Sequence, residues 1–167
     1  AMLVMAVGMM GSMILVRTAI GNNNRNKLDT ASTALAQMVL EQIVSRPANN
    51  NSNITITDCA GTPRTISTAA HSGDVRLDIP SGAGATLLTS GFNSGNIDFT
   101  QALAAVPAGY AMQYTTCGPA NQRVTYEIRW NVTAVSGFTK LVTVSARKQI
   151  ASNTSALPYF SVPVTLR

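Results

Sequence analysis

A chain of 167 residues with twelve Lys and Arg against seven Asp and Glu carries a net charge of +5, yet only 11% of its residues are charged. The cations are spread out, with Arg25/Lys27 and Arg147/Lys148 as local pairs, so the linear sequence lacks the clustered basic stripe that binds a phosphate backbone. One His and two distant Cys exclude the common metal spacings, and the roughly 120 residues beyond the first long helix suffice for one compact domain, not two.

Residues Ala1 to Val16 (AMLVMAVGMMGSMILV) carry no charge and run without a turn signal into an amphipathic stretch that lasts to Arg46-Pro47. Sixteen helical residues span roughly 24 Å, short of the roughly 30 Å hydrocarbon core of a bilayer, so the segment reads as a truncated span or a protein-buried helix. No basic region precedes it and no small-x-small cleavage site closes it, which argues against a secretory signal peptide. Met2, Met5, Met9, Met10 and Met13 read as adaptable packing between helices rather than thioether ligands. Gly8 and Ser12 form a small-xxx-small pair, and Gly11 adds another point of close backbone approach. Gly21 and the asparagines after it (GNNNRNKLD) lower helix propensity and predict a flexible point.

Leu28, Ala31, Leu35, Met38/Val39 and Gln42/Ile43 then recur at the spacing of one helical face, which predicts a stripe lying on a sheet, with Leu35, Met38 and Ile43 joining stalk to head. Pro47 stops the helix and Ala48 to Asn53 makes a loop. The expected organisation is a helix over 1–46 and a globular β-rich head over 47–167.

Within the head, Ile54 to Thr57 and Val75 to Ile79 alternate as half-buried strands. Ser81 to Gly95 reads as a Gly/Ser-rich surface excursion, and Phe99 to Val106 as a short helix before Pro107. In the segment Arg123 to Val132, Val124, Tyr126, Ile128, Trp130 and Val132 alternate with Arg123, Thr125, Glu127, Arg129 and Asn131, predicting one core face and one wet face. Ser136-Gly137 turns the chain and Phe138 to Ala146 returns antiparallel. Tyr159 to Leu166 reads as a last strand that Pro163 confines to an edge or a bulge. The fold class is therefore α+β, a long N-terminal helix packed on an antiparallel β-sheet head.

No catalytic set assembles from these residues. HExxH, CxxC and Gly-x-Ser-x-Gly are all missing, His71 reads as a loop histidine, and Gly82-Ala83-Gly84 lacks the third glycine and the βαβ context of a phosphate loop. Asp74, Asp78 and Asp98 are too dispersed to define a calcium site. The expectation is a protein that is not an enzyme and uses no cofactor or metal. Cys59 and Cys117 read as a structural disulfide of an exported domain. The sequons at Asn50, Asn53, Asn131 and Asn153 are what chance yields in a chain this rich in Asn and Thr.

The combination resembles the type IV pilins, more closely the minor pilins and secretion pseudopilins, whose mature N-terminus runs on as an apolar helix similar to AMLVMAVGMMGSMILV. At the sequence level the resemblance covers residues 1 to 46 and, more loosely, the hairpin 123 to 146. The family's basic leader, processing glycine, N-methylated aromatic and early glutamate are not among these residues, so the resemblance implies that the chain begins inside the mature subunit. It further implies an inner-membrane precursor with a periplasmic head, then an extracellular, cell-surface filament of this chain or of several pilins, with roles in adhesion or motility. Leu3, Val4, Val7, Met10, Ile14 and Leu15 would carry assembly, and Gly8, Gly11 and Gly21 would ease helix unwinding. Two features depart from the family: Arg17, Arg25 and Lys27 stand where the positive-inside rule expects a cytoplasmic face, and about fifty residues follow Cys117, favouring a minor or divergent member. The rival expectations are a priming or tip subunit, and a filament-displayed module binding DNA or surfaces through Arg123, Arg129, Lys140, Arg147 and Lys148.

Overall fold

A computed structural model describes residues 2–72, 82–119, 122–149 and 164–166, with side chains described for all of these except 2–11, 24, 25, 72 and 164–166. One helix, α1 (Met2–Val44), takes up the first 43 of these residues, a rod of about 65 Å. The expected flexible point is helical: the backbone passes through Gly21 and the asparagines without leaving the α conformation. Helix propagation from long segments on both sides outweighs the few kcal/mol of unfavourable propensity that one Gly and four Asn introduce. The helix closes with Ser45 N–H donating to the Glu41 carbonyl and Arg46 N–H to that of Ile43, and Pro47 bars continuation.

The head is built on one long central strand. Its first elements are a separate antiparallel hairpin of β1 (Ile54–Thr57) and β2 (Pro63–Ile66), followed by the short β3 (His71–Ser72) and β4 (Ala83–Gly84). Then come β5 (Ala111–Cys117), β6 (Arg123–Ser136), β7 (Thr139–Lys148) and β8 (Val164–Leu166). On one side β6 pairs with β7, which pairs with β8. On the other, three strands from separate parts of the chain line up along β6: β5 on Arg123 to Arg129, β4 on Asn131 and Val132, and β3 on Thr133 and Ala134. The β3 pairing is parallel, so the sheet is mixed rather than wholly antiparallel. The hairpin loop falls one residue later than expected, at Gly137-Phe138, and the register shifts between Ala134 and Ser136, leaving Val135 as the extra residue of a bulge.

Alternation along β6 sends Ile128, Trp130 and Val132 to one face, joined from β7 by their partners Ala146, Val144 and Val142. All six are buried, and α1 packs here, chiefly over β7, through Leu35, Ala36, Val39 and Ile43. Of the residues expected to join stalk to head, Leu35 and Ile43 are buried and Met38 packs half-buried against the same core. Beneath the β5 side of this face Trp130 donates its indole N–H to the Ser67 carbonyl at 3.0 Å, and the Tyr110 hydroxyl donates to the Ala69 carbonyl at 2.7 Å.

The other face corrects the sequence reading. Glu127, Arg129 and Asn131, expected on the wet face of β6, are buried, as are Thr143 and Ser145 beside them on β7. The segment from Gly82 to Val106, expected as a surface excursion over Ser81 to Gly95 and a short helix over Phe99 to Val106, lies over them: Ala85, Ile97 and Val106 are buried, and the Asn131 amide donates to the Ala85 carbonyl at 2.8 Å. Within it the expected helix reduces to a three-residue 3-10 turn, Leu103–Ala105. Gly84 shows why this closure needs glycine: at φ +119 a Cβ would stand 2.3 Å from the Trp130 carbonyl oxygen.

Cys59 and Cys117 are joined, with Cα atoms 5.9 Å apart, tying the β1–β2 hairpin to the end of β5. The predicted strand Val75 to Ile79 and the Tyr159 to Pro163 part of the predicted last strand lie outside the described residues. Val164–Leu166 pairs with β7 alone, an edge position among the described strands.

Candidate assembly surface

The two halves of α1 meet opposite environments. From Leu28 onward every turn sinks at least one side chain into the head, whereas between Ser12 and Asn23 no side chain is buried. Met13, Ile14, Leu15 and Val16 are 72, 65, 72 and 57% exposed, and Ile20 is 58% exposed one turn later. At about 100° per residue, four consecutive apolar residues point in four directions, so the helix is apolar all round at this level. Of the proposed assembly residues, Ile14 and Leu15 belong to this surface; Leu3, Val4, Val7 and Met10, and likewise Gly8 and Gly11, lie on the helix backbone outside the residues with described side chains. Gly21 has nothing within 4 Å of the position a Cβ would take, so packing places no demand for glycine there.

The five cations proposed as a basic patch do not form one. Arg123 is exposed at the start of β6, but Arg129, on the same strand face, is 1% exposed. Its Nε donates to Glu127 Oε1 at 2.6 Å, and its Nη1 to the carbonyls of Gln101 at 2.7 Å and Asp98 at 3.1 Å. Arg147 lies across the strand pairing from Glu127 and takes the second carboxylate oxygen through Nε at 3.0 Å and Nη2 at 2.8 Å. The Phe99 ring covers both guanidinium groups, at 4.9 Å from Arg129 and 4.4 Å from Arg147. Arg129 and Arg147 are thus internal counterions that hold the 98–101 segment on the sheet. Strand alternation does place Glu127 beside Arg129; what the sequence could not reveal is the segment that covers them.

Lys140 departs from the patch as well. Its Nζ is buried without a hydrogen-bond partner among the described residues, and burial pushes its pKa below the ordinary lysine value. Lys148 is half-buried at the end of β7. Two carboxylates are held below their ordinary range: Asp98, chiefly by the Thr100 hydroxyl and N–H with Arg129 nearby, and Asp58, chiefly by the Thr62 N–H and then by Arg64. Asp58 organises the β1–β2 turn, accepting from the Ala60 and Thr62 N–H groups at 3.0 and 2.9 Å while its other oxygen receives Arg64.

Among the described residues no three His, Cys, Asp or Glu side chains gather as a metal-binding set, and no helix is long and apolar enough to cross a membrane. Phe92 and Phe138 stand exposed at two loops, as single surface aromatics commonly do. The largest feature left to account for is the uncovered apolar stretch of α1. No protein-family model, curated protein or solved structure matches the chain.

Proposed function

We propose that this chain is a structural subunit of a type IV pilus-like extracellular filament, with a pilin-like arrangement in which the N-terminal half of α1 packs among the helices of neighbouring subunits and the β head lies outside. Before assembly, the same helix is held in the inner membrane with the head in the periplasm. The observation that carries this reading is the all-round exposure of Met13 to Val16 on a helix whose second half is anchored in a well-packed head. Side chains of this size each gain about 1–2 kcal/mol when their exposed apolar area is buried, so a helix bundle covering several turns is strongly favoured over a free stalk. A contact that repeats head to tail without closing then builds a filament.

Electron microscopy of sheared surface filaments from the source cells, with mass spectrometry of their main protein, tests the proposal. Finding this chain as the repeating subunit supports it; filaments made mainly of another protein, with this one in traces, would reassign it as a minor, priming, tip or secretion-pseudopilus subunit. In cells, Val7→Asp should abolish assembly, since a carboxylate cannot enter an apolar bundle unpaired, while leaving the head folded. Normal filaments from that variant would remove the helix from the assembly interface.

A further inference from the structure

The charges of α1 are sorted by height and by face. Arg17, Arg25 and Lys27 come first, and Asp29 and Glu41 follow. Arg17, Lys27, Asp29 and Glu41 are exposed, and none of the four pairs with an opposite charge among the described residues. At about 100° per residue, Arg17 and Lys27 stand about 80° apart around the axis, with the exposed Met13 and Ile20 in the arc between them. Asp29 and Glu41 stand about 120° apart, with Thr33 and Gln37 between them, on the side of the helix turned away from the buried Leu35 and Val39. The basic arc thus lies on the stretch that the head leaves uncovered, and the acidic arc on the outer side of the stretch that the head anchors.

Apolar turns exposed all round gain from any neighbour at any height, because burial is non-directional. The charges are what distinguish one height from another. Level stalks would set each cation beside its own counterpart. Between parallel copies displaced along the axis, Arg17 meets Asp29 twelve residues further on and Lys27 meets Glu41 fourteen further on. These are rises of about 18 and 21 Å, so one displacement of about 20 Å matches both pairs, within the reach of the long cationic side chains. The match holds around the axis too. From Arg17 to Lys27 the helix turns back by about 80°, and from Asp29 to Glu41 it turns forward by about 120°. Two facing surfaces mirror each other, so Arg17 falls beside Asp29 and Lys27 beside Glu41. A displacement of two to four residues reaches Asp29 from Lys27 or Arg25 alone and leaves Arg17 and Glu41 unmatched.

We propose that a second, parallel copy of this chain docks on the stalk at a displacement of about 20 Å, its Asp29 and Glu41 receiving Arg17 and Lys27 of the first. This deepens the filament reading by fixing its register, and it rests on that reading's premise that stalks pack side by side. Each stalk gives one face and receives on another, so the contact is heterologous and repeats from copy to copy. Exposed ion pairs add little affinity; the apolar turns supply it, and the pairs set the height.

The test is oxidative cross-linking in the source cells. Ile20→Cys and Thr33→Cys in one chain stand thirteen residues apart, at the proposed displacement, and should give a ladder of disulfide-linked multimers. Ile20→Cys alone should give about tenfold less cross-linked product. In the double-cysteine background, Arg17→Glu or Asp29→Arg should each cut the ladder about tenfold, and the two together should restore it to within about twofold, since reversing both charges recreates the pair. Trp130 fluorescence of each purified variant reports an intact head. Abundant dimer from Ile20→Cys alone would mean level stalks and overturns the proposal, as does a ladder that the single reversals leave unchanged or the double reversal fails to restore. Filament imaging is a separate readout: a ladder with charge rescue but no filaments removes the filament reading alone, and filaments without that ladder remove this proposal alone.

Discussion

Replacing Glu127 by Ala should destabilise the head far more than its place in a pattern of alternating polar residues suggests. Its side chain is 6% exposed and serves Arg129, 2% exposed, through one oxygen and Arg147, 33% exposed, through the other. Breaking a buried pair by removing one partner costs about 3–5 kcal/mol, because the surviving charge stays desolvated. The Asp98 and Gln101 carbonyls still accept from Arg129 and hold the loss toward the low end of that range. Arg147, able to rehydrate, adds less than about 1 kcal/mol. A loss of about 3 kcal/mol follows, or a fall in Tm of about 6–12 °C for a chain of this size. Trp130, the sole tryptophan and fully buried, supplies the fluorescence signal for urea unfolding in mild detergent. Arg147→Ala should cost less than about 1 kcal/mol, and Glu127→Leu with Arg129→Met should return to within about 1 kcal/mol of wild type, since an apolar replacement leaves no charge stranded. A Glu127→Ala loss below about 1 kcal/mol, or a double variant no more stable than the single, would refute the argument that Glu127 is the buried counterion of this face.

Gly21→Ala should raise helix content by circular dichroism and stabilise α1 by about 0.5–1 kcal/mol, because the added methyl meets open space and the backbone is already helical; a loss of helicity would mean that the glycine serves a second conformation. Cys59→Ser with Cys117→Ser should lower stability by about 4 kcal/mol through the freed loop of 58 residues, read by denaturation of oxidised and variant protein side by side. Lys140→Met should stabilise the head by up to about 1 kcal/mol, since it removes a buried ammonium that has no hydrogen-bond partner among the described residues. With its folded pKa below the ordinary 10.5, Lys140 keeps its proton longer when unfolded, so wild-type stability should rise as pH climbs through the folded pKa toward 10.5. That alkaline gain should vanish in Lys140→Met, and its persistence would assign it to another group.

Periodicity alone made several elements legible. The spacing of Leu28, Leu35, Val39 and Ile43 places the buried stripe on the right turns of α1, and the alternation from Val124 to Val132 marks the central strand and its apolar face, because both patterns record which side of an element meets the core. Pro47 sets the end of the helix within a few residues. The cysteine pairing follows from there being two of them, since an even count in a chain without metal spacings leaves one disulfide to form.

Covering is what the sequence left open. Arg123 and Arg129 are the same residue type on the same strand face, yet one is exposed and the other buried, because the Gly82 to Val106 segment returns over Arg129 from more than twenty residues away. The short strands β3 and β4 carry no periodicity of their own and exist only as partners of β6. The stalk is the converse: an uncharged run identifies an apolar helix from residue order alone, and the fold adds that the head covers none of it between Ser12 and Asn23. Residue order determines which surfaces shun water, since hydropathy is local; which of them stay uncovered is decided by long-range packing, and it is from that uncovered stretch that the proposed assembly role is drawn.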